Sequence, residues 1–96
     1  MANPMAIALL KADLGYLGDI PETVRLLLEH DLDASVSMIR GYGIDIDISR
    51  DDHMSLLVMH AAWLYRKRAT GEGKPRMLVD TIHDIQTAQV TGRSRR

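Results

Sequence analysis

Hydrophobic positions recur at helical spacing over four stretches of the 96-residue chain. Asn3-Pro4 is a capping residue followed by the residue best suited to a first helical turn, and it opens a helix that Gly15 stops. Ile7, Leu10 and Leu14 give that helix one apolar stripe. Gly15 and Gly18 bracket a turn, and Asp19-Ile20-Pro21-Glu22 starts a second helix. There Val24, Leu28, Leu32, Ser35 and Ile39 keep the period, with Leu27 and Met38 widening the stripe. Glu29, Asp31, Asp33 and Arg40 fall away from its centre, and Gly41 and Gly43 end it. Ser49 or Asp51 caps a third helix reaching about Arg68. Lys74-Pro75 opens a fourth, with Leu78, Ile82 and Ile85 on its buried stripe and Val79 beside them.

Two segments break this period. Ile44, Ile46 and Ile48 alternate with Asp45 and Asp47, a spacing of two that fits a half-buried extended segment or short strand over 43–50. One strand cannot make a sheet, so the segment either pairs with another chain or packs as an ordered loop. The last six residues, Thr91 to Arg96, hold three Arg and no apolar side chain, and read as a flexible basic tail. The fold class is therefore all-α: a small four-helix bundle-like domain over 1–90, an extended segment near 43–50, and a basic tail over 91–96.

The third helix differs from the others. Its centre, Leu56 to Tyr65, is apolar nearly all round except at His60. Such a helix belongs in the middle of a bundle or between chains. A chain of this length has only one small core to offset the cost of ordering. Burial against neighbouring copies is the economical way to add to it.

Composition narrows the chemistry. With 46% apolar and 26% charged residues the chain is an ordinary globular one. Without Cys there is no disulfide, thiolate zinc site or thiol nucleophile. Six Met and the aliphatics fill the core, since aromatics are limited to one Trp and three Tyr. The N-terminus has no basic region ahead of its short apolar run. No run approaches the ~20 residues of a membrane span. The expectation is a soluble protein of the cell interior, or a part assembled there.

Charge is segregated along the sequence. Residues 1–65 carry four basic and ten acidic side chains, a balance of −6, and residues 66–96 carry eight basic and three acidic, a balance of +5. That asymmetry points to a charged partner or to self-association. In a head-to-tail contact the acidic surface of one copy meets the basic surface of the next, and such a contact closes into a ring when the rotation allows. Arg66, Arg68 and Arg76 against Asp31 and Asp33 are the candidate inter-subunit contacts.

Catalytic patterns are weak. His53 and His60 lie on one helix face about 10.5 Å apart, too far to hold one ion. They read as partly buried or surface histidines, without the spacing of a zincin. His83-Asp84 and Asp51-Asp52-His53 are local polar clusters. The Gly41/Gly43 and Gly71/Gly73 pairs lack the strand–loop–helix context of a nucleotide site. The expectation is no enzyme, no metal and no cofactor. Arg66-Lys67-Arg68, Lys74, Arg76 and the tail instead suit phosphates, which makes a small helical nucleic-acid-binding regulator the alternative function. The bland reading of 66–68 is a helix C-terminus that favours cations.

The stretch Ala61-Ala62-Trp63-Leu64-Tyr65-Arg66-Lys67-Arg68, followed after a glycine loop by Lys74-Pro75-Arg76-Met77-Leu78, resembles the small head–tail connector (adaptor) proteins of tailed double-stranded DNA bacteriophages. Leu9 to Gly15 and the helix from Pro21 to Gly41, with Ala34, Met38 and Ile39, extend the resemblance over about residues 5–86. The Ile44–Ile48 segment and the tail lie outside it.

The resemblance implies a structural subunit of the virion, made in the bacterial cytoplasm. Such subunits form a homo-oligomeric ring, commonly of twelve copies, beneath the portal protein. The ring extends the channel for double-stranded DNA, which passes without sequence-specific binding, and presents a surface to a stopper or tail-completion protein. Family members reach toward the portal with the C-terminal region, which here points to Arg93, Arg95 and Arg96. Asp45, Asp47, Asp51 and Asp52 become candidates to face the channel, because an anionic wall repels phosphate. Trp63 and Tyr65 are expected in the core or at an interface.

Overall fold

A computed structural model describes the backbone of residues 3–94 and the side chains of residues 3–90. Four helices follow one another: α1 (Pro4–Asp13), α2 (Glu22–Gly41), α3 (Asp51–Thr70) and α4 (Arg76–Ser94). Among the described residues there is no strand, and the all-α expectation holds.

Local chemistry explains the boundaries. The Asn3 side chain accepts from the Ala6 amide at 3.0 Å, and Pro4 fills the first turn of α1. α3 begins after Arg50, which makes no side-chain cap, so neither Ser49 nor Asp51 is its N-cap. Asp51 and Asp52 still lie in its first turn, where the helix dipole favours carboxylates. Gly71 ends α3 in the left-handed region at φ 70°, and its amide donates to the Lys67 carbonyl at 2.8 Å. Backbone of α4 is helical as far as Ser94, inside the stretch assigned to the tail. The side chains from 91 onward, and residues 95 and 96, lie outside the described residues.

α3 is the hub. The other three helices all pack on it, α2 most extensively, then α1 and then α4, and α1 also touches α2. Leu56, Ala61 and Ala62 are fully enclosed and Trp63 is 3% exposed. A single chain thus covers nearly all of the apolar helix that seemed to need a neighbour. Apolar side chains left in solvent lie elsewhere: Met5 and Leu9 on α1, Leu17 before α2, Leu26 and Leu27 on α2, and Met77 on α4.

The contacts orient the helices. α1 runs parallel to α3: Ala6 lines a groove with Leu57, while Asp13 and Tyr16 reach Arg66 and Tyr65. α2 runs antiparallel to α3, Ser35 meeting His60 and Asp31 meeting Arg68. α4 also returns antiparallel, from the Trp63–Glu72 contact to the loop after α2.

The 43–50 segment is an ordered loop, the second of the two outcomes its alternation allowed. Ile44 is completely buried and Ile46 half-buried, while Ile48 is exposed. Side chains satisfy its backbone in place of a neighbouring strand. Gln89 of α4 accepts from the Asp45 amide at 2.9 Å and donates to the Gly43 carbonyl at 2.9 Å; Gln86 donates to the Tyr42 carbonyl at 2.7 Å. His53 Nδ1 accepts from the Asp47 amide at 2.9 Å. Two glutamines therefore fasten α4 to the loop. Replacing both Gln86 and Gln89 with Ala removes three hydrogen bonds worth about 1 kcal/mol each. The expected outcome is faster amide hydrogen exchange at 43–47, with α2 and α3 unchanged; unchanged loop protection would refute the fastening role.

Candidate functional site

Two polar clusters lie inside the bundle. His60 is fully enclosed; its Nδ1 joins the Ser35 hydroxyl at 2.8 Å and its Nε2 joins the Tyr42 hydroxyl at 3.0 Å. Its ring meets Trp63 edge-on at 5.2 Å between centroids. Burial, with a smaller contribution from the Lys74 ammonium, lowers its pKa to about 4, so it is neutral at pH 7. Ser35 is as deeply buried as His60. No reactant reaches the pair, and its work is to satisfy polar groups where α2, α3 and the following loop meet. The expectation of partly buried or surface histidines does not hold for His53 and His60: both are buried, each with hydrogen-bond partners. Among the described residues no three His, Asp or Glu side chains converge as metal ligands.

The second cluster is the pair of Asp31 and Arg68. Asp31 is 1% exposed, and both of its oxygens accept from the Arg68 guanidinium, one at 2.8 Å. That bond is the chief reason the guanidinium pKa is raised. Sequence reading set Asp31 off the buried stripe and offered it, with Arg68, to a neighbouring copy. The structure pairs the two within one chain. The signal was present in the spacing: Asp31 lies three residues after Leu28 and four before Ser35, on the stripe itself.

The remaining inter-subunit candidates are on the surface. Arg66 lies 3.8 Å from both Asp13 and Glu72, and Arg76, with a 93% exposed side chain, lies 3.8 Å from Asp80. Asp33 is exposed on α2 beside Arg40, where both line an apolar groove of ≈ 260 Å³ with Leu32, Val36 and Ile48. Trp63 belongs to the core. Tyr65 is half-buried, its hydroxyl 2.6 Å from that of Tyr16, an arrangement that ties the loop after α1 to α3 and raises the Tyr65 pKa.

Asp45, Asp47, Asp51 and Asp52 are all exposed and gather at the N-terminal end of α3. Asp47 accepts from the Ser49 amide and hydroxyl, and Asp52 from Arg50 and the His53 amide; these bonds lower both carboxyl pKa values. At the other end of α3 stand Arg66, Lys67 and Arg68, with Lys74 and Arg76 across the loop. A 20-residue helix puts about 30 Å between those ends, so the aspartate cluster and the cation cluster stand well apart, with Asp13, Asp31, Glu72 and Asp80 interspersed among the cations.

α4 adds a constraint that no sequence pattern revealed. Its last turns lie at the acidic pole, because Gln89 bonds Gly43 and Asp45. The helix leading to the C-terminal arginines and the aspartates assigned to the channel therefore share one end of the bundle. Arg93, Arg95 and Arg96 themselves lie outside the described side chains. Among the described residues no helix is long and apolar enough to cross a membrane. The chain matches no protein-family model, no curated protein and no solved structure with which it was compared.

Proposed function

We propose that this chain is a structural head–tail adaptor subunit of a tailed double-stranded DNA phage. Copies form a ring, expected to hold twelve, under the portal; the ring prolongs the DNA channel and receives a stopper or tail-completion protein on its far side. The observation that carries the reading is the unlike character of the two ends of α3, with the exposed Asp45, Asp47, Asp51 and Asp52 at one and Arg66, Lys67 and Arg76, interspersed with carboxylates, at the other. A body with two unlike poles suits a position between two different partners. The resemblance of the Trp63–Arg68 and Lys74–Leu78 stretches to that family supports it as well. So do the apolar side chains exposed on both α1 and α2, because a head-to-tail ring needs two distinct contact faces per subunit.

The common location of α4's end and the acidic pole refines the proposal. On this reading the portal side is the end of the bundle toward which α4 runs, because the family resemblance sends the C-terminal region, with Arg93, Arg95 and Arg96, toward the portal. The basic pole then faces away from the head. Mixing the chain with the portal of its own phage and measuring mass by light scattering tests this. The expected product is a portal-bound ring, and a strict monomer that never binds the portal would defeat the reading. Deleting residues 93–96 should leave the helical circular dichroism intact and weaken portal attachment at least tenfold. Normal attachment of the truncated chain would show that the arginines are not the anchor.

A further inference from the structure

At the basic pole the arginines and lysines are used differently. Each arginine faces a carboxylate of its own chain: Arg66 with Asp13 and Glu72, Arg68 with Asp31, Arg76 with Asp80. Lys67 and Lys74 face rings instead. Their ammoniums stand 4.8 and 4.9 Å from the centroid of the Trp63 ring, and that of Lys74 also stands 5.5 Å from Tyr42. Both lysines are exposed, and among the described residues neither forms an ion pair. One indole therefore holds two uncompensated positive charges within about 10 Å of each other, by cation–π attraction.

The holder is rigid. Trp63 is nearly enclosed, and its Nε1–H donates to the Glu72 carbonyl at 3.1 Å, which fixes the loop that carries Lys74. The first turn of α4 follows that loop immediately, and the amides of a first turn have no partners within the helix and favour anions.

From this geometry we infer that Lys67 and Lys74, presented on Trp63 at the α3–α4 turn, form a contact for the phosphodiester backbone of double-stranded DNA. Chemistry favours phosphate over an acidic protein surface. The Arg68 fork is hydrogen-bonded to Asp31 and those of Arg66 and Arg76 stand 3.8 Å from carboxylates, whereas Lys67 and Lys74 are point charges on flexible stems that suit the repeating charge of a phosphate backbone. Trp63 is too deeply buried to stack on a base or to anchor a protein interface. The contact is accordingly to the backbone alone and carries no sequence preference. It goes beyond the adaptor reading and does not depend on it, since a DNA-binding assay uses no portal and a portal-binding assay uses no DNA.

Fluorescence anisotropy of a labelled duplex of about 20 base pairs, titrated with the full chain over a range of salt, tests the inference. The wild-type chain should bind weakly at about 50 mM salt, with an affinity that falls steeply as salt rises. Lys67→Gln and Lys74→Gln should each make the log–log salt slope shallower by about one, and the double variant by about two, with at least a tenfold loss of affinity at low salt. The duplex should also change the emission of Trp63, the one tryptophan of the chain, as phosphates approach the ammoniums held over its ring. Circular dichroism confirms that each variant is folded. Three results would overturn the inference: no binding by the wild-type chain at low salt, an unchanged slope in the folded double variant, or displacement of the duplex by polyglutamate as readily as by unlabelled DNA.

Discussion

Replacing Trp63 with alanine is expected to lower the free energy of unfolding by about 3–5 kcal/mol, the usual loss when a large enclosed aromatic side chain is truncated. Two effects add. The indole is 3% exposed at the centre of the hub helix, so its removal leaves a cavity that α2, α3 and the α3–α4 turn cannot all collapse to fill. Truncation also releases the Glu72 carbonyl and both lysine ammoniums. In a domain of this size 1 kcal/mol moves the melting temperature by roughly 4–8 °C, so the variant should melt well over 10 °C lower. Trp63→Phe separates the effects, because it keeps most of the volume and loses the N–H; its cost should be nearer 1–2 kcal/mol. A loss below about 1 kcal/mol for Trp63→Ala, measured by urea unfolding, would place the indole outside the core.

Acid should destabilise the fold in a particular window, through His60. Its folded pKa is about 4 against an ordinary value of 6.5. Between those values the unfolded chain binds a proton that the folded chain refuses, so stability rises with pH there. The contribution is complete above pH 6.5 and lost progressively as the pH falls to about 4. A displacement of that size corresponds to about 3 kcal/mol. The structural cause is burial beside Ser35 and Tyr42, neither of which can compensate an imidazolium, with the like charge of Lys74 held over the Tyr42 and Trp63 rings nearby. Urea midpoints at pH 7, 5.5 and 4.5 should decline for the wild-type chain. In His60→Gln, which starts less stable, the decline over this window should be much smaller. Equal declines in both proteins would show that other groups titrate.

Much of the architecture is written in periodicity. The four helices, the capping role of Asn3 and the buried stripe Leu78, Ile82, Ile85 all follow from local sequence, because spacing and caps are local physical requirements. The hub position of α3 follows from its lack of a polar face. Asp31 was misplaced for a reason of chemistry: a carboxylate on an apolar stripe is tolerated only when a cation reaches it, and Arg68, 37 residues away, does so only once α2 and α3 lie antiparallel.

What the chain alone determined is its set of helices, its apolar hub and the amount of charge in each half. Tertiary structure decided which charges remain available. It matched Arg68 with Asp31, left Lys67 and Lys74 on an aromatic ring, and turned the Ile44–Ile48 alternation into a loop fastened by Gln86 and Gln89. It also returned α4 to the acidic pole. The division has a simple origin. Helix formation depends on neighbours three and four residues apart, whereas pairing a charge or satisfying the loop backbone depends on partners up to 46 residues distant, which packing alone brings together.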